Sequence, residues 1–216
     1  MRQVNLPNWL VRIDENLKWL SIPKLPLFLT ITQVLGFFFA MKRPEFVSRL
    51  VLDPNAVLQG EVWRIFTFIA IPLVDNFLVF FVLWFFYDVM VWLESAWGST
   101  LLTVYFLFAW FNTVLASLLT GIPIETFAYM ECSFFFALAT LNPNREIHLF
   151  FILPIAFKWI AVFIAAVLLV VPLFLGYPER QIYMILLFAN YLIFFGKDYW
   201  LKLKKELDKR KGKKFQ

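Results

Sequence analysis

The chain alternates long apolar blocks with short polar connections. Six blocks stand out: residues 26–41, 76–93, 99–120, 126–141, 154–175 and 181–195. A helix needs about 20 apolar residues to cross the hydrocarbon core of a bilayer. The first, fourth and sixth blocks fall short of that and extend into their flanks. The fifth, with residues 149–153 added, is long enough to tilt or to begin with an interfacial turn. Ahead of the first block, Trp9, Leu10, Ile13, Leu17 and Leu20 recur at helical spacing. That pattern predicts an amphipathic helix, lying on the membrane surface or packed on the first span.

The connections sharpen the picture. Glu94–Gly98, Gly121-Ile122-Pro123, Asn142-Pro143-Asn144-Arg145 and Gly176-Tyr177-Pro178 are tight, which makes sequential spans antiparallel neighbours. Only residues 42–75 form a long connection. Phe46, Val47, Leu50, Val51, Leu52, Val57, Val62, Trp63, Ile65 and Phe66 make it too apolar for a free linker, and Asp53-Pro54-Asn55 and Gly60 are turn signals. The expectation is an ordered loop half-sunk in the head groups. The architecture expected is therefore all-α: an N-terminal interfacial segment (1–25), a six-span membrane domain (26–196) and a basic tail (197–216).

Composition agrees with a bilayer. The chain is 62% hydrophobic with mean hydropathy +0.74, more apolar surface than a soluble core of this size hides. Residues 1–20 lack the continuous apolar core and small-residue cleavage site of a secretory signal. Six spans put both termini on one side. If that side is cytoplasmic, 15 of the 20 basic side chains lie inside: Arg2, Arg12, Lys18, Lys24, Arg145, Lys158 and nine in the tail. Size and the absent signal favour a bacterial inner membrane over a eukaryotic internal one. The tail, with nine basic and three acidic residues, is a topology anchor or a site for anionic lipid head groups. Nucleic acid fits less well, because the cluster begins at a membrane exit.

Candidate chemistry is sparse. One histidine, His148, and one cysteine, Cys132, are expected near opposite membrane faces, so they cannot share a metal, and no cofactor is implied. Three local patterns remain. Trp63-Arg64 precedes the second block. Glu94-Ser95-Ala96-Trp97-Gly98 ends it, where Glu94 can accept bonds from the next helix start and Gly98 lets the chain reverse. Phe136-Ala137-Leu138 lies in the fourth. An indole suits the head-group level, and a guanidinium binds phosphate or backbone carbonyls.

With six spans and an ordered first loop, these motifs resemble the rhomboid superfamily of intramembrane serine proteases and their inactive relatives, such as the Derlins. The resemblance covers roughly residues 26–196. It implies that Trp63 and Arg64 form an outer-leaflet element that disturbs lipid and engages clients; an ordinary interfacial anchor is the plainer reading. It also implies a Gly-x-Ser-Gly on span four, and here that stretch reads Met130-Glu131-Cys132-Ser133. The Ala-His expected on span six reads Ala189-Asn190, and residues 77–93 hold neither His nor Asn.

Those departures point away from proteolysis. A buried hydroxyl or thiol needs a neighbouring base to become a nucleophile, and the Asn190 amide takes no proton. Glu131 is the one acid nearby, and adjacent helical residues point about 100° apart, so it is poorly aimed at Cys132. The expected function is a rhomboid-like pseudoprotease that binds or positions membrane-protein clients through their transmembrane segments, with Glu131, Cys132, Ser133 and Asn190 as the remnant cleft. The alternatives are an active serine or cysteine intramembrane protease, and a transporter or ion pathway through the intramembrane acids Asp88 and Glu131. The absence of an internal repeat weakens the transporter. More plainly, Glu131 bonds Tyr191 or Asn190, Asp88 bonds Tyr105 or Asn112, Asn112 and Thr113 cross-link helices, and Lys158-Trp159 snorkels at the membrane rim.

Overall fold

A computed structural model describes residues 8–149, 153–174, 184 and 188–196. Helix α1 (Asn8–Asn16) is followed by α2 (Leu25–Lys42), which carries Pro26, a residue suited to a first turn, at its second position and stops short of Pro44. The long connection is ordered into α3 (Val47–Leu50), α4 (Pro54–Leu58), α5 (Arg64–Thr67) and two short 3-10 turns, Pro44–Phe46 and Phe68–Ala70. The Asp53 side chain caps α4 by accepting from the Asn55 amide at 2.9 Å.

Helices α6 (Val79–Trp97) and α7 (Ser99–Thr120) form an antiparallel pair, reversed at Gly98 with φ +83° and ψ 163°, a conformation nearly confined to glycine. Gly121 ends α7 in the left-handed region. Then come α8 (Ala128–Leu141), an antiparallel hairpin of β1 (Glu146–Leu149) and β2 (Leu153–Ala156), and α9 (Phe157–Phe174). A further helical stretch covers 189–196.

Three segments are long and apolar enough to cross a membrane: Lys18–Lys42, Val79–Trp97 and Ser99–Thr120. α8 and the Phe157–Leu168 part of α9 are apolar but shorter. The described residues are thus mostly helical, with three helices able to cross a membrane among them. One difference has a local cause. Residues 149 and 153–156, expected in the fifth block, pair as strands, with His148 in register with Pro154, so α9 starts only at Phe157. Most of the sixth block, and the basic tail, lie outside the described residues.

α7 sits at the centre. Of its most apolar window 67% is buried, against 33% for α2 and α6. On α6, Leu83, Phe86, Met90, Leu93 and Trp97 face inward at helical spacing, while Phe81 and Trp84 point out. Rings fill the interfaces: Tyr105 lies 5.0–5.3 Å, centroid to centroid, from Trp97, Phe134 and Phe194. The outward faces of α2 and α6, with Leu35 and Trp84 63% and 59% exposed, are what lipid would cover. α1 packs inward rather than lying free: Leu10 is buried and the Trp9 ring meets Phe194. It packs against α7, and the Ile22 amide a few residues beyond it donates to Thr103 Oγ1.

Candidate functional site

Ser133 lies at the meeting point of three elements. α8 presents it fully buried, α7 brings Tyr105, and the 189–196 stretch brings Asn190. Asn190 Nδ2 donates to Ser133 Oγ at 2.8 Å. The Tyr105 hydroxyl is 2.8 Å from the same Oγ and 3.0 Å from the Ser133 carbonyl oxygen, to which it donates. One arrangement gives each hydroxyl a partner: the amide donates to the serine oxygen, the serine hydroxyl to the tyrosine oxygen, and the tyrosine hydroxyl to the carbonyl. The Ser133 oxygen is held by an amide and a phenol, and neither is a base that takes its proton. Asn190 Oδ1 has no hydrogen-bond partner among the described residues.

The other remnant-cleft residues point elsewhere, as helical geometry requires. Cys132 is half-buried and free. Glu131 is buried beside Gln33 of α2, not beside Tyr191 or Asn190. Gln33 is fully buried, and both its amide atoms and Glu131 Oε1 lack a well-formed hydrogen bond among the described residues. The cleft is thus two neighbouring polar clusters: Ser133–Asn190–Tyr105, and Glu131–Gln33. Sequence reasoning missed Gln33, though a lone amide in an apolar block was a usable signal. It assigned Tyr105 to the wrong partner.

Asp88, on α6, meets Arg145 Nη2 at 3.9 Å rather than Tyr105 or Asn112. The Arg145 guanidinium lies 3.2 Å from the Trp92 ring centroid, one helical turn beyond Asp88, so the loop after α8 folds back over α6. Burial lowers the Arg145 pKa from its ordinary value, and the Asp88 carboxylate opposes that shift. Thr113 bonds back to the Ala109 carbonyl within α7 instead of cross-linking helices, and Asn112 Nδ2 has no partner among the described residues. Lys158 Nζ donates to Asn144 Oδ1 and lies over the Trp159 ring.

The Trp63-Arg64 pair divides its roles. Trp63 is 51% exposed, whereas Arg64 is 7% exposed. The Arg64 guanidinium bonds Glu61 Oε2 at 2.6 Å from two nitrogens and donates to the Ser48 and Val51 carbonyl oxygens at 2.6 and 2.9 Å. Of the two ligands considered for it, phosphate and backbone carbonyls, the second is found. Thr67 Oγ1 donates to the Leu50 carbonyl, and the Trp110 indole to that of Ile65. Leu52 and Ile124 exchange both backbone bonds, which pins the loop to the α7–α8 connection. At the α6–α7 turn the Ser99 hydroxyl donates to Glu94 Oε1 at 2.6 Å, and the Gly98 amide to the Glu94 carbonyl at 2.7 Å. Glu94 therefore serves the turn through a hydroxyl.

The fold and these clusters define a mostly helical protein with segments able to cross a membrane and a buried polar site between its helices. No family model matches the chain, and no curated protein or solved structure matches it. Among the described residues no group of three or more His, Cys, Asp or Glu is placed to hold a metal.

Proposed function

We propose that this chain is a six-span, rhomboid-like membrane pseudoprotease that binds or positions other membrane proteins without cutting them. The observation that carries the reading is the Asn190–Ser133 hydrogen bond. The resemblance aligns Cys132 with the nucleophile and Asn190 with the base; Asn190 bonds Ser133, the next residue, at 2.8 Å, with an amide where the base would stand. Such a pair joins the two helices and offers neither Cys132 nor Ser133 a proton acceptor. Exposed Trp63, on a loop held rigid by Arg64, is the client-facing part. The Lys/Arg distribution supports cytoplasmic termini.

The test has two arms. A fluorophosphonate serine probe and a thiol probe, applied to the folded protein, are expected to leave Ser133 and Cys132 without catalytic-rate labelling. Photocrosslinking in native membranes is expected to capture membrane-protein partners, and Trp63→Ala to lose them with the fold intact. Cleavage of a model transmembrane substrate that is abolished by Ser133→Ala or Cys132→Ala sinks the reading.

One observation favours a second reading, an ion or proton pathway: Glu131 and Gln33 are buried polar neighbours with atoms that lack a hydrogen bond among the described residues, and such groups inside a membrane are costly. Proton flux in liposomes that disappears in Glu131→Gln selects it.

A further inference from the structure

A cavity of about 480 Å³ lies between α8, α9 and the 188–196 stretch, away from the Ser133 network. Its polarity runs in one direction. Lys158, in the first turn of α9, and the Thr140–Tyr191 hydroxyl pair line one end. Ala161, Ala165 and Leu168 carry the wall along one face of α9 to an apolar end. Alanines at these positions leave the space that larger side chains would fill. Lys158 is exposed, its one hydrogen bond goes to the neutral Asn144 amide, and no carboxylate oxygen lies within 4 Å of it among the described residues.

We propose that this cavity holds an acyl chain of an anionic membrane lipid, with Lys158 binding the head group at the membrane face where α8 ends and α9 begins. The volume lies within the roughly 300–1,000 Å³ range of small-ligand pockets. From Lys158 to Leu168 the helix rises about 15 Å, so the cavity wall runs lengthwise along α9. The charged end at the interface and the apolar end deeper in the bilayer follow the order of groups in a lipid, and the unneutralised ammonium selects an anionic head. This inference rests on α8 and α9 being embedded in lipid, and not on the protease resemblance.

The experiment uses the full chain in mild detergent, titrated with dioleoyl phosphatidylglycerol or dioleoyl phosphatidylcholine and read by native mass spectrometry. One phosphatidylglycerol is expected to be retained in preference to phosphatidylcholine. Lys158→Gln should weaken the anionic lipid about fivefold and leave phosphatidylcholine unchanged, the loss expected of one basic group near an anionic head. Ala165→Leu, which fills the cavity, should abolish retention of both; Ala161→Val is the milder substitute if that variant fails to fold. Neutralising Lys209, Lys211, Lys213 and Lys214 together should change nothing. Retention that survives both Lys158→Gln and the cavity-filling variant, or that follows the tail lysines instead, overturns the proposal. So does equal retention of the two lipids by the unaltered protein.

Discussion

Replacing Arg64 with alanine tests whether the loop after α2 is held together from within or by lipid. The guanidinium is 7% exposed and has three partners, Glu61 and the Ser48 and Val51 carbonyl oxygens. Removing one member of a buried ion pair costs about 3–5 kcal/mol. The Glu61 side chain is 38% exposed and regains water, which places the cost at the low end, about 3 kcal/mol. In a chain of this size each kcal/mol moves the melting temperature by about 2–4 °C, so Arg64→Ala should melt about 6–12 °C lower. Arg64→Lys, a single ammonium in place of a fork, should lose about half as much. The lone, half-buried Cys132 reports the transition: a fluorogenic maleimide reacts as the helices part. Limited proteolysis of residues 43–70 should accelerate in parallel. If Arg64→Ala melts within about a degree of the unaltered protein and its loop resists protease equally, the internal clamp is refuted.

Other substitutions probe separate contacts. Ser133→Ala leaves the Asn190 amide without its buried acceptor and should cost about 1–3 kcal/mol, read as a lower maleimide melting temperature. At Gly36 an added Cβ would collide with the Ala70 carbonyl oxygen, so Gly36→Ala should destabilise by about 1–3 kcal/mol, the usual cost of overpacking; an unchanged melting temperature refutes that approach of α2 to the loop. Gly98→Ala meets open space but forces a side chain onto a glycine-only backbone, about 1–3 kcal/mol again, this time from strain alone. Asp88→Asn should cost under about 1 kcal/mol, since the partners are 49% and 31% exposed, whereas Arg145→Ala should cost more by losing Trp92 as well. A double-mutant cycle separates the two contributions.

Much of the helical frame was legible from pattern. α2, α6 and α7 are bounded by Pro26, Pro44, Gly98 and Gly121, residues whose backbone preferences are local, and their bounds fall close to those expected. The ordered loop was legible because apolar density is also local. The β-hairpin was not: an apolar run carries no mark of whether its amides pair along a helix or across a turn. Contacts failed to show in proportion to their separation. Arg64 reaches carbonyls 13 and 16 residues back, and carbonyls have no sequence identity. Asp88 finds its cation in a loop beyond two further helices. The meeting of Ser133 with Asn190, 57 residues apart, leaves no mark in periodicity, which says nothing of which helices touch; the family resemblance put both in one cleft but set Cys132, not Ser133, at the nucleophile position.

The Asp88–Arg145 contact bears on how the chain is made. Synthesis delivers α6 with its carboxylate long before the ribosome reaches the arginine that answers it. Until α7 and α8 have followed, that acid lacks Arg145. The loop that closes over Trp92 is thus the last part of this contact to be made, and it adds a small, late increment to the packing of α6.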